Sequence, residues 1–242
     1  MCGCSNSPSC TPPGASRLAA QDDTPSTPAI RHTRFLLGIP IALVVAVLLV
    51  TVCYLWVDRP VAWFVHDHEI AEWDREHGNP LKRITDVPDW AEDAAPATIV
   101  VCALLMLAWP TWHCPRAVAT TAILLILSDR LKDQLKFVLG RTWPDTWIDN
   151  NPSLIQNGAY GFHPFTGGIA YASSPSGHTT VTVAAMSVLW VAYPRLRVLW
   201  VALSVTEGVA LVSLNYHFVG DVVGGAFLGA LCGLSAARIA RL

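Results

Sequence analysis

Residues 35–57 form a run of 23 residues without a charged side chain. About 20 apolar residues in a helix are enough to cross the hydrocarbon core of a bilayer. This run therefore fixes the class of fold before any motif is read. The composition agrees: 52% of the chain is hydrophobic and 14% is charged, whereas a soluble domain is about a quarter charged. That balance excludes a soluble single domain and a disordered chain. Sixteen Lys and Arg against 18 Asp and Glu give a net charge of −2. No basic excess remains to neutralise a phosphate backbone, so nucleic-acid binding is excluded as well. The run ends without a small-residue cleavage site, and we expect it to be retained.

Further apolar segments lie near residues 97–112, 117–139, 179–193, 198–214 and 222–240. With 35–57 they predict an all-α bundle of six membrane-spanning helices over residues 35–242. Residues 1–34 are rich in Ser, Pro, Thr and Gly and are expected to be a disordered tail. The chain has seven cysteines. Cys2, Cys4 and Cys10 lie in that tail and read as unpaired thiols. No apolar stretch precedes Cys2 or Cys4, which speaks against a cleaved lipoprotein signal. Cys53, Cys102, Cys114 and Cys232 show no metal-type spacing with histidine. Residues 58–95 read as a polar segment carrying Trp63, Trp73 and Trp90, with one short surface helix near residues 61–76. Asp67, Glu69 and Glu72 near His66, His68 and His77 read as an acidic surface rather than a metal site. No metal or other cofactor is expected.

Two spans carry charge. In 117–139, Asp129, Lys132, Asp133 and Lys136 share one helical face opposite Leu127, Leu131, Leu135 and Val138. Charges at membrane depth face a protein interior and mark function. Glu207 interrupts 198–214 and needs a partner, for which Arg130 or Lys132 is available. Span six carries Gly225, Gly229 and Gly233, a small-residue stripe for close helix packing. With the N-terminus inside, eight basic residues flank the spans on the cytoplasmic side and five on the other. Both termini are therefore expected in the cytoplasm. The loop 140–177 and the 214–222 turn then meet at the outer face.

Three clusters gather there. Lys136 and Arg141 supply positive charge for phosphate oxygens. Pro175, Ser176 and Gly177 break the chain just before an apolar helix, whose free amides form an anion cradle. His178 follows, placed to protonate a leaving oxygen. His217 and Asp221, four residues apart on a helix, would share a face, with the carboxylate fixing the imidazole tautomer. Together these residues make a kit for phosphoryl transfer through a phosphohistidine.

The clusters resemble the type-2 phosphatidic acid phosphatase superfamily. Its pattern is Lys, six residues, Arg-Pro; then Pro-Ser-Gly-His; then Ser-Arg, five residues, His, three residues, Asp. The likeness spans residues 136–221. It implies that His217 is the nucleophile, Asp221 its orienting partner and His178 the general acid and then base. It also implies that Lys136, Ser176 and Gly177 bind phosphate without a metal. Two family arginines are missing, replaced by Trp143 and Leu211, with Ala210 at the serine. Arg141 is expected to replace one; Arg130, Lys132 or Asn215 would supply the rest. The implied activity is hydrolysis of a lipid phosphomonoester or diphosphate at the outer face of a bacterial inner membrane. The partners are membrane lipids and a lipid phosphate. A lipid phosphotransferase and a catalytically weakened lipid-phosphate-binding protein are the alternatives.

Overall fold

The structure is a computed structural model that describes residues 28–109, 114–148 and 150–242. Side chains are described from Gly38 onward, that of Cys114 excepted. Most of the 1–34 tail, with Cys2, Cys4 and Cys10, lies outside the described residues. Helix α1 is Pro28–Val52. Its sequence continues through a π turn, Cys53–Val57, into α2, Asp58–Asp67.

The segment 58–95 differs from expectation, being helical almost throughout. After α2 come α3 (Ile70–Glu76), α4 (Pro80–Thr85) and α5 (Val87–Ala108). Two left-handed residues, Glu69 (φ 51°) and Asn79 (φ 58°), start α3 and α4. Pro80 then sits in the first turn of α4, where its missing N–H costs nothing. Helical periodicity was hidden there because these helices are short and their outward faces are charged.

Helix α6 is Cys114–Leu139, and a one-turn helix α7 (Leu154–Asn157) lies in the loop that follows. Helix α8 is Gly177–Ala192, α9 is Arg197–Ser213 and α10 is Val219–Ile239. No strand occurs among the described residues; three isolated bridges pin the 140–172 loop. Among the described residues, four segments are long and apolar enough to cross a membrane: Gly38–Asp67, Pro80–Ala108, Pro194–Ser213 and Val219–Ile239. They expose large apolar side chains such as Leu43, Leu48, Leu104, Val198 and Val205. Such a band needs a lipid surround; the chain is an integral membrane protein. Of the other two expected spans, α8 is short and α6 carries the charged face. Lys132 in α6 is neutralised by Asp129 at 2.6 Å and Asp133 at 3.2 Å.

Helix α8 packs most extensively on α10, along the glycine stripe. A Cβ on Gly229 would lie 2.4 Å from the Thr180 carbonyl oxygen, and one on Gly233 2.4 Å from that of Ala184. Only glycine permits this approach. Gly229→Val should therefore force α8 off α10 at a cost of about 1–3 kcal/mol or more. The expected readout is a thermal midpoint lowered by several degrees in detergent. Gly140 ends α6 with φ +58°, where a Cβ would overlap the His163 carbonyl.

Candidate active site

The start of α8 is built by its own sequence. Ser176 is the N-cap; its hydroxyl oxygen accepts from the Thr179 amide at 3.4 Å and the Thr179 hydroxyl at 3.0 Å. Its own amide donates to the Asp221 carbonyl at 3.0 Å, which ties the start of α8 to that of α10. A Cβ on Gly177 would lie 2.7 Å from Lys132 Cδ. The lysine stem thus lies against the cradle, and glycine is what admits it. His178 occupies the first turn of α8, with Nε2 3.4 Å from Asp89 Oδ2 on α5.

His217 and Asp221 come together, though not as two residues of one helix. His217 sits in the turn between α9 and α10, while Asp221 lies in the first turn of α10. Asp221 Oδ2 accepts from the Phe218 amide at 3.1 Å, so the carboxylate also caps its helix. His217 Nδ1 points at the same oxygen from 3.8 Å and has no hydrogen bond. That exceeds the roughly 2.7–3.2 Å of an N–H···O bond. Such contacts are often long in unliganded sites and tighten on substrate binding. The His217 and His178 ring centroids are 6.4 Å apart.

Burial holds the His217 imidazole down at about 4, against the opposing pull of Asp221. The ring is therefore neutral at pH 7 and has a free lone pair, as a nucleophile requires. A depressed folded-state value also makes the native state lose stability as pH falls from about 6.5 towards 4, because the unfolded chain takes up the proton first. The acid limb that His217 contributes to kcat/KM should accordingly lie near pH 4, well below that of an ordinary histidine. A pH–rate profile over pH 3.5–8 checks this; a limb near 6.5 would contradict it.

Arg141 is not where the sequence places it. Its side chain is fully buried, with Nη1 donating to Asp221 Oδ1 at 2.6 Å and Nη2 to Asp58 Oδ2 at 2.5 Å. Its guanidinium carbon lies 4.5 Å from the Phe218 ring centroid and 5.0 Å from that of Phe162. Nη1 and Nη2 are each engaged by a buried carboxylate, and the whole side chain is shut away from solvent. Burial opposes its charge, yet Asp221 and Asp58 hold its pKa above the ordinary value. It positions Asp221 instead, together with the Ser173 hydroxyl, which donates to Asp221 Oδ2 at 2.6 Å.

Asp58 completes this chain and was missed from sequence. Its Oδ1 also accepts from the Gly220 amide at 2.8 Å. A charge directly after the 35–57 apolar run was the available signal, but its partners lie 83 and 162 residues away. The Lys136 side chain makes no hydrogen bond or ion pair among the described residues, and it lines a cavity of about 190 Å³ with Asp133, Thr166 and Ala172. Glu207 is buried with both carboxylate oxygens unbonded. Neither Arg130 nor Lys132 pairs with it, Lys132 being held by Asp129 and Asp133. Among the described residues, no group of three or more His, Cys, Asp or Glu could hold a metal ion.

Residues 116–241, more than half of the chain, match the family model described as the PAP2 superfamily. The chain belongs to the PAP2 superfamily. A lipid A 1-phosphatase of Rhizobium johnstonii is 33% identical over 106 residues, which cover 44% of this chain and 41% of that protein. A lipid A 1-phosphatase of Rhizobium etli is 32% identical over 105 residues, 43% and 42% of the two chains. The matched stretch thus spans about two fifths of these relatives. The crystal structure of a transmembrane PAP2-type phosphatidylglycerolphosphate phosphatase from Bacillus subtilis aligns over 82% of this chain and 93% of its own, at 19% identity and a TM-score of 0.43.

The two departures from the PAP2 pattern both support the histidine turn. Trp143 is buried, donates from Nε1 to the Ile169 carbonyl at 2.8 Å, and lays its ring 5.2 Å from that of His217. Leu211 is fully buried in α9, and its carbonyl accepts from the Tyr216 amide at 3.0 Å. Where the PAP2 pattern has two arginines, this chain has two buried apolar side chains, of which Trp143 packs on the His217 ring.

Proposed function

We propose that the chain is a membrane lipid phosphate phosphatase working through a phosphohistidine. The observation that carries this reading is the pair His217 and His178, 6.4 Å apart over the first turn of α8. With Nδ1 turned to Asp221, His217 presents Nε2 to phosphorus. The N–P bond forms as the bond from phosphorus to the lipid oxygen breaks, and His178 gives that oxygen its proton. His178 then takes a proton from water, which attacks phosphorus, breaks the N–P bond and releases phosphate. Lys136 and the free amides behind Ser176 and Gly177 hold the non-bridging oxygens.

Residues 35–242 act as one six-span phosphatase domain, with both termini in the cytoplasm and the site at the outer face of a bacterial inner membrane. The substrate is a phosphomonoester or diphosphate of a lipid; lipid A 1-phosphate, for which two relatives are named, is one such molecule. The test is phosphate release from a panel of lipid phosphates by the full chain in detergent, with chelator, beside His217→Ala. Chelator-resistant release that disappears in the variant supports the reading. Release of equal size by the variant overturns it.

A further inference from the structure

His178 has a partner that lies outside the three sequence clusters. Its Nε2 is 3.3 Å from Asp89 Oδ1 and 3.4 Å from Asp89 Oδ2. The nitrogen is thus almost equidistant from the two carboxylate oxygens. Asp89 stands on α5, before residue 116, where the PAP2 match begins.

Asp89 is not engaged by its own helix. It is the third residue of α5, where a carboxylate commonly reaches back to the N-cap amide. Here the Asp86 amide donates to the Lys82 carbonyl at 3.0 Å instead, and the Asp86 carboxylate accepts from Lys82 Nζ at 2.7 Å. Among the described residues, His178 is the hydrogen-bond partner Asp89 has. The nearby lysines do not compete: Lys82 is held by Asp86, and Lys132 by Asp129 and Asp133. Glu92 on α5 and Glu207 on α9 lie near His178 without bonding it. The two helix starts are also fixed against each other. Ala95 of α5 packs in one buried cluster with Val181 and Ala185 of α8. The Asp89 side chain is 60% exposed, and an exposed pair adds little to the stability of a fold. Its effect is on the imidazole.

A carboxylate that holds one ring nitrogen decides which nitrogen carries the proton. We infer that Asp89 is the positioning residue of His178: it accepts from Nε2–H throughout and leaves Nδ1 to exchange protons with the substrate. In the first step Nδ1–H gives its proton to the lipid oxygen as the bond from that oxygen to phosphorus breaks. The neutral ring keeps its other proton on Nε2, against Asp89, so the lone pair is on Nδ1. In the second step Nδ1 takes a proton from water as the water oxygen attacks phosphorus and the N–P bond to His217 breaks. The imidazolium is restored. Each histidine then has its own carboxylate, Asp221 for the nucleophile and Asp89 for the acid. This rests on the phosphatase reading above and adds a residue to it.

The test compares Asp89→Ala with the native full chain in detergent, on the best lipid phosphate of the panel above and on nitrophenyl phosphate. An alkyl oxygen needs a proton to leave, and a nitrophenyl oxygen needs little help. Asp89→Ala is expected to lower kcat/KM about 10–100-fold on the lipid, within the roughly 10²–10⁴-fold that acid–base catalysis supplies. On nitrophenyl phosphate the loss is expected to stay under about threefold. A merely structural defect would lower both alike, so equal losses, or none, overturn the positioning role. The pair is also read without turnover, by nitrogen-15 NMR of histidine-labelled protein at alkaline pH. The His178 signals are those absent from His178→Ala. The native ring is expected to carry its proton on Nε2, and Asp89→Ala to give a mixture of the two tautomers. If no lipid phosphate is hydrolysed but the tautomer behaves so, the pair stands and the phosphatase reading falls. If the lipid is hydrolysed but Asp89→Ala moves neither the ratio nor the tautomer, the phosphatase reading stands and the pair falls. If nothing is hydrolysed and the tautomer does not respond, both fall.

Discussion

Arg141→Met should be the most destabilising single substitution in this chain. The guanidinium stands between Asp221 at 2.6 Å and Asp58 at 2.5 Å, and all three side chains are fully buried. Methionine fills much of the volume but leaves two carboxylates facing each other without a cation. Removing one partner from a buried ion pair costs about 3–5 kcal/mol, a large part of the roughly 5–15 kcal/mol that holds a typical domain. We expect a collapse in monodisperse yield and a thermal midpoint lowered by ten degrees or more in detergent. Arg141→Met combined with Asp58→Asn should recover part of the loss, because one of the two stranded charges is gone; the residues touch, so their effects are not additive. A midpoint for Arg141→Met within a degree of the native value would show that the three-residue chain is not what holds α2 to the start of α10.

That chain also marks the limit of what the sequence disclosed. Lys136, Ser176, Gly177, His178, His217 and Asp221 stood out as candidates because each stands at a point where an apolar segment breaks, and local spacing says which groups can face each other. The apolar helices were legible for the same reason, as was the glycine stripe, since a period of four residues is a local property. Arg141 was misread because its type and position suit a phosphate contact as well as a buried ion pair. Only the fold brings Asp58 and Asp221 to its two forks and closes Tyr54, Phe162 and Phe218 around it. The helices of 58–95 were hidden by short length and charged faces. The absence of arginine at Trp143 and Leu211 read as a loss of phosphate contacts; in the fold those positions are buried around the turn that carries His217.

His217→Ala should remove turnover while leaving the protein folded. In enzymes whose reacting groups act as a unit, deleting the nucleophile costs about 10⁴–10⁶ in kcat, and we expect a loss of at least about 10⁴-fold here. The phosphate cradle does not pass through this side chain, so KM should change by less than about threefold where binding is fast relative to chemistry. Truncation leaves a gap against Trp143, but it also removes a buried Nδ1 that has no hydrogen bond. These effects oppose each other, and the fold persists. His178→Ala should behave differently. An aryl phosphate has a leaving group that needs little proton assistance, so the N–P bond to His217 can still form. With no base to activate water, the second step stalls. One equivalent of aryl alcohol should then appear in a burst, with the phosphoryl group left on the protein in acid-labile, base-stable form. Steady release without a burst, or label in an acid-stable ester, would remove His217 from the role of nucleophile and leave it a binding residue.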